Sequence, residues 1–121
     1  MTDPSPDPAR LDTAGIQKRL SAFRDERDWA RFHDPRSLTL ALAAEVGELA
    51  EALAWTGDGD AAIPRDAAAD ELADIATYLL HLANALDVDL GAEVERKLVT
   101  TRERFAGLLP GTPSRAHGGA A

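Results

Sequence analysis

The chain has no cysteine, few aromatic residues, and no apolar run long enough to span a membrane. Each absence excludes something. Without cysteine there is no disulfide framework and no thiolate-bound zinc. A metal, if one binds, must be held by oxygen or nitrogen. Without an apolar stretch of about 18 residues there is no candidate membrane helix. The polar, proline-rich start lacks the order of a signal peptide. The expectation is a cytoplasmic protein that engages no membrane. Basic charge is also scarce: 13 Lys and Arg stand against 21 Asp and Glu, for a net charge of -8.

What is present is unevenly placed. Residues 45–74 hold nine acids and one base, Arg65, so that segment alone accounts for the whole net charge. Such a face repels the backbone of DNA or RNA, which argues against a nucleic-acid polymer as partner. A small polyanion could approach only with cations in between. A solvated acidic surface that aids solubility fits the same charge, and both readings stay open on composition.

Positions 1–10, with three prolines, and 110–121, rich in Gly, Pro and Ala, read as disordered tails that bury too little apolar surface to offset their ordering entropy. Between them, residues 11–109 form one domain. A domain of about 100 residues has a modest core, which favours association with copies of itself.

Hydrophobic spacing is helical almost throughout, and no stretch alternates as a strand would. Four helices are expected, over residues 12–27, 38–55, 64–86 and 90–105. Ser37 is the expected N-cap of the second, and Pro64 suits the first turn of the third. Short connections make this an all-α, antiparallel four-helix bundle.

The second helix carries Leu42, Val46, Leu49 and Leu53 on one stripe. At about 100° per residue, Glu45 and Glu48 flank that stripe, while Glu51 points away to water. In the third helix Leu72, Ile75, Ala76, Leu79, Ala83 and Leu86 form the stripe, and Glu71, Asp74 and Tyr78 share its shoulder. Antiparallel packing would bring the four acids Glu45, Glu48, Glu71 and Asp74 together. Like charges so close are destabilising unless a cation lies between them. Carboxylate oxygens suit Mg²⁺ or Mn²⁺, and Mg²⁺ completes its octahedron with water and substrate phosphates. An ordinary bundle with acidic shoulders remains the alternative on spacing alone.

The stretch ERDWARFHDPRSLTLALAAEVGELAEALAW, residues 26–55, followed by DELADIATYLLHLANALDVDL, residues 70–90, resembles the MazG-like nucleotide pyrophosphohydrolases. Within them it is most similar to the dCTP pyrophosphatases. The pattern is ExxE, a spacer and ExxD, here Glu45–Glu48 and Glu71–Asp74, with the further cues ERDW, FHxPR and EVGELAE.

The resemblance implies hydrolysis of a deoxynucleoside triphosphate, dCTP or a 5-modified dCTP, to the monophosphate and pyrophosphate. It implies Mg²⁺ held by Glu45, Glu48, Glu71 and Asp74 as the catalytic set, with Mn²⁺ able to substitute. It also implies a homo-oligomer, dimer or tetramer. Leu38, Leu40, Leu80 and Leu82, apolar residues outside the stripes, are the expected contact residues for that assembly. Trp29, Trp55 and Tyr78 match positions that enclose the nucleoside, and His33 and Lys97 match positions near the phosphates or base. Thr101 stands where related enzymes carry asparagine.

Each residue also has a plainer reading. The tryptophans could cap the core, His33 and Arg36 could be surface residues, and Lys97 could lie along the helix surface. Arg36 is kept as a substrate contact on the FHxPR match. His81 falls on the outer face of the third helix and His117 in the tail, and neither is assigned a role. A pyrophosphatase of broader or different selectivity, and a non-catalytic module that binds nucleotides or partner helices, are the alternatives.

Overall fold

The computed structural model describes residues 12–54, 64–108 and 110–111. The tails, apart from Asp12 and from 110–111, therefore lie outside the described residues, as does Trp55. The chain divides into two compact units, Met1–Gly91 and Ala92–Ala121. The first contains α1 (Thr13–Glu26), α2 (Pro35–Ala54) and α3 (Arg65–Ala85), with a 3₁₀ turn, Ala30–Phe32, between α1 and α2. A fourth helix, α4 (Leu90–Phe105), begins in the first unit and runs through the second. The fold is all-α, with no strand among the described residues. None of the described helices is long and apolar enough to cross a membrane.

Local chemistry sets the helix ends. Asp12 caps α1 by accepting the Gly15 N–H at 2.9 Å. Ser37 does not cap α2. Asp34 accepts the Ser37 N–H at 3.1 Å, and those bonds hold its carboxyl below the usual carboxylate value. Pro35 follows at the first helical position, where its missing N–H costs nothing. The helix therefore starts three residues earlier than its apolar pattern.

α1 and α3 end in the same way. The Trp29 N–H reaches the Arg24 carbonyl and the Asp28 N–H reaches that of Asp25; Val88 and Asp87 repeat this with Ala83 and Asn84. Both are Schellman endings. The left-handed position is taken by aspartate each time, Asp28 at φ 53° and Asp87 at φ 57°.

α2 and α3 pack together, as do α1 and α3. His33, just before α2, lies beside His81 late in α3, and Glu45 lies beside Glu71 and Asp74 early in α3. α2 and α3 therefore run antiparallel.

Among the described residues, the buried apolar ones are Leu38, Leu80 and Ala83. This reverses part of the sequence reading. Leu38 and Leu80, expected on an outer contact face, are core. Val46, Leu53, Leu72, Leu79 and Leu86 from the expected core stripes are exposed, Leu72 at 56%. Leu40 is exposed as expected, at 64%.

The core of the first unit also holds a polar pin. Buried Gln17 donates from Nε2 to Asn84 Oδ1 and to the Val88 carbonyl, each at 2.9 Å. Its Oε1 accepts the Leu90 N–H at 3.1 Å, and Asn84 Nδ2 donates to the Gln17 carbonyl at 3.0 Å. With its polar atoms paired, this amide can sit in the core without the desolvation cost of an unmatched group.

Candidate active site

Packing of α2 on α3 brings Glu45, Glu71 and Asp74 together. One carboxylate oxygen from each lies within 4.8 Å of the others. Glu45 and Glu71 are half-buried and Asp74 is exposed. Glu48, one turn after Glu45, is exposed and outside this closest group. Its charge is nonetheless felt at Glu45.

The electrostatics are those of crowded acids. The Glu45 carboxyl is raised above the usual 4.5, first by burial. The approach of Glu71, with which a protonated Glu45 shares its hydrogen, adds to this, as do the charges of Glu48, Glu71 and Asp74. Glu71 Oε2 is buried and has no hydrogen-bond partner among the described residues. A buried, unpartnered carboxylate oxygen on a member of an acid cluster lacks positive charge. An all-oxygen set of this kind fits a hard divalent cation. Glu51 is exposed and has no place in the cluster.

Around the end of α1 and the start of α2 lies an aromatic group. Trp29 opens the 3₁₀ turn, 41% exposed, with its ring edge-on to Phe23 at 5.3 Å. His33 closes that turn, half-buried, 6.3 Å from Trp29 and 4.6 Å from His81. Tyr78 is half-buried on α3, one turn beyond Asp74. Arg36 is the second residue of α2 rather than a residue before it, and is exposed. Lys97 belongs to the second unit, where its carbonyl accepts the Thr101 hydroxyl at 2.8 Å. That hydroxyl is turned back onto its own helix. Trp55 cannot be placed.

The sequence reading missed one residue. His81 is not on an outer face: it is 8% exposed and edge-on to His33. α3 has α1 on one side and α2 on another, so the side opposite the apolar stripe is also covered. Burial pushes both imidazoles below the ordinary 6.5. Arg24 lowers each further, and His33 adds to the shift of His81. The signal available was the run Leu80-His81-Leu82-Ala83, in which a lone polar residue sits among apolar ones.

No family model matches the chain. Among curated proteins, human dCTP pyrophosphatase 1 is 41% identical over 119 residues, covering 93% of this chain and 68% of that protein. The rat protein of the same name is 43% identical, over 84% of this chain and 61% of its own length. The bovine one is 48% identical, over 74% and 57%. The aligned part thus spans between 57% and 68% of these relatives. Among solved structures, a pyrophosphatase from Archaeoglobus fulgidus superposes with a TM-score of 0.69 at 25% identity, covering 84% of this chain and 98% of that one. The crowded acids on α2 and α3 and the loop aromatics thus fall within a chain that these likenesses span almost end to end, and the chain belongs to the dCTP pyrophosphatase family of MazG-like all-α proteins.

Proposed function

We propose that this chain hydrolyses dCTP, or a 5-modified dCTP, to the monophosphate and pyrophosphate and so acts in control of the nucleotide pool. The observation that carries the reading is the convergence of Glu45, Glu71 and Asp74, one of which, Glu71, has a buried carboxylate oxygen with no donor among the described residues. The names of the relatives supply the base.

Glu45, Glu71 and Asp74 would hold Mg²⁺, with Glu48 completing the set; Mn²⁺ would serve in its place. The cation, when bound, neutralises triphosphate charge and the charge that develops on the leaving pyrophosphate. The chain's own groups do the rest. The acids orient water, and a carboxylate of the set accepts its proton as the water oxygen bonds to phosphorus. The α–β anhydride bond breaks, and the monophosphate and pyrophosphate separate. Trp29 and Tyr78 would enclose the base, with His33 and Arg36 toward the polar parts of the nucleotide. Stacking accepts any base, so selectivity rests on the width of the slot and on its polar edge groups. The substrate is a single nucleotide, because the acidic face repels a polymer, and the proposed setting is the cytoplasm.

The exposed apolar residues of α2 and α3, Val46, Leu53, Leu72 and Leu79, support assembly into a dimer or tetramer.

Steady-state assays with dCTP, 5-methyl-dCTP, dUTP, dTTP, dATP and dGTP, in Mg²⁺, in Mn²⁺ and in excess chelator, test the reading. The expected result is metal-dependent pyrophosphate release with the highest kcat/KM for the cytosine nucleotides. Full activity in chelator overturns the metal site. Preference for a purine overturns the base assignment.

A further inference from the structure

His33 and His81 form a contact that the proposed chemistry does not use. His33 sits in the connection that leads into α2, at the end of the 3₁₀ turn, where its N–H bonds the Ala30 carbonyl. That bond fixes the backbone but not the ring. Nδ1 of His33 is buried with no hydrogen-bond partner among the described residues, and so is Nδ1 of His81. The pose of the His33 ring is therefore set by packing. Its nearest ring is His81, at 4.6 Å between centroids and 69° between planes, while Trp29 is farther, at 6.3 Å.

His81 is well suited to this task. It is 8% exposed, and its neighbours on α3, Leu80 and Ala83, are buried too. A side chain in a packed helix moves little, and a ring in a loop takes its orientation from such a neighbour. Charge points the same way. Arg24, from α1, acts on both imidazoles, and His33 acts on His81. A proton on either ring would meet a cation, so both stay neutral near pH 7.

We propose that His81 is a positioning residue for His33, holding the loop imidazole at the angle at which it meets the nucleotide beside Trp29. This rests on the reading of His33 as a substrate contact. His81 touches no reacting atom and acts only through its neighbour.

The test uses His81→Ala, His81→Phe, His33→Ala and the double variant His33→Ala/His81→Ala in the full chain. Readouts are KM and kcat for dCTP with Mg²⁺, and histidine-ring NMR. His81→Ala should raise KM by about three- to tenfold and leave kcat within about twofold, because the contact is loosened and the acids are untouched. The His33 titration should move up toward 6.5 as its burial is relieved, and the ring contact with Trp29 should weaken. His81→Phe restores an edge-on ring and should bring KM and the His33 titration back toward wild type. In the double variant, loss of His81 should add nothing to the loss of His33.

An equal KM penalty in the His33→Ala background overturns the proposal. So does a His81→Phe protein as impaired as His81→Ala, or an unchanged His33 ring in His81→Ala. A wild-type KM in His33→Ala overturns instead the reading of His33 as a substrate contact, and the ring measurements still decide whether His81 fixes its pose.

Discussion

Glu45 is an acid whose proton affinity the fold disturbs, and the disturbance has a sign. Its carboxyl is raised above 4.5 in the fold. The folded chain therefore holds that proton more tightly than the unfolded one, so the associated stability is full below pH 4.5 and is lost as pH rises through the folded value. At neutral pH the metal-free protein carries the repulsion in full. Glu45→Gln should raise the thermal midpoint in chelator and abolish the further rise expected of wild type in Mg²⁺; calorimetry with and without metal checks both. Glu51→Gln, from an exposed acid outside the cluster, should change neither. If it matched Glu45→Gln, the helical phasing would be wrong.

The histidines have the opposite sign. His33 and His81 lie below 6.5 when folded. Their contribution is full above pH 6.5 and is lost as pH falls through the folded values, because the unfolded chain takes up protons first. The thermal midpoint should fall between pH 7.5 and about 5.5, and His81→Phe should flatten that fall. A flat profile in wild type would show that the pair is not buried. Glu45, Glu71 and Asp74 were legible as a group because ExxE and ExxD spacing fixes angle on a helix, whereas Glu48, expected with them, is exposed and outside that group. His81 was not legible, because periodicity ranks faces by apolar content and this face is closed by a neighbouring helix.

At the scale of elements, the helices were legible and their ends less so. The α2 pattern begins at Leu38, but the helix begins at Pro35, since a proline and an aspartate cap need no apolar residue to start a turn. The Schellman endings at Asp28 and Asp87 place an L-residue in left-handed backbone twice. Glycine carries no such penalty. Asp87→Gly should therefore stabilise the chain by about 0.5–1 kcal/mol, read from the denaturant midpoint at unchanged m-value. Asp28→Gly should do the same, because its 3.7 Å ion pair with Arg31 is solvent-exposed and of little worth. Destabilisation by either would mean that the aspartate side chain does more there than cap.

At the scale of the molecule, the stripes on α2 and α3 were read correctly as apolar and only in part correctly as a core: Ala83 is buried, but most of their large residues are exposed. Periodicity finds an apolar face but cannot say what covers it. Leu38 and Leu80 are covered within the chain, whereas Val46, Leu72 and Leu79 are not. If the proposed assembly covers them, Leu72→Glu together with Val46→Glu should yield a smaller species with intact helical circular dichroism. Sedimentation velocity reads the change, and a wild-type protein that is monomeric at micromolar concentration removes the idea.

The Gln17 pin has a consequence of timing. Its partners lie 67 to 73 residues further along the chain. At about 5–20 residues per second of synthesis, roughly 4 to 15 seconds separate the appearance of Gln17 from that of Leu90. Until then Gln17 Oε1 lacks its native donor, the Leu90 N–H, and burying it would leave that oxygen unpaired. Of the three helices α1 is thus made first, while the pin that ties it to the end of α3 is completed only by the first turn of α4.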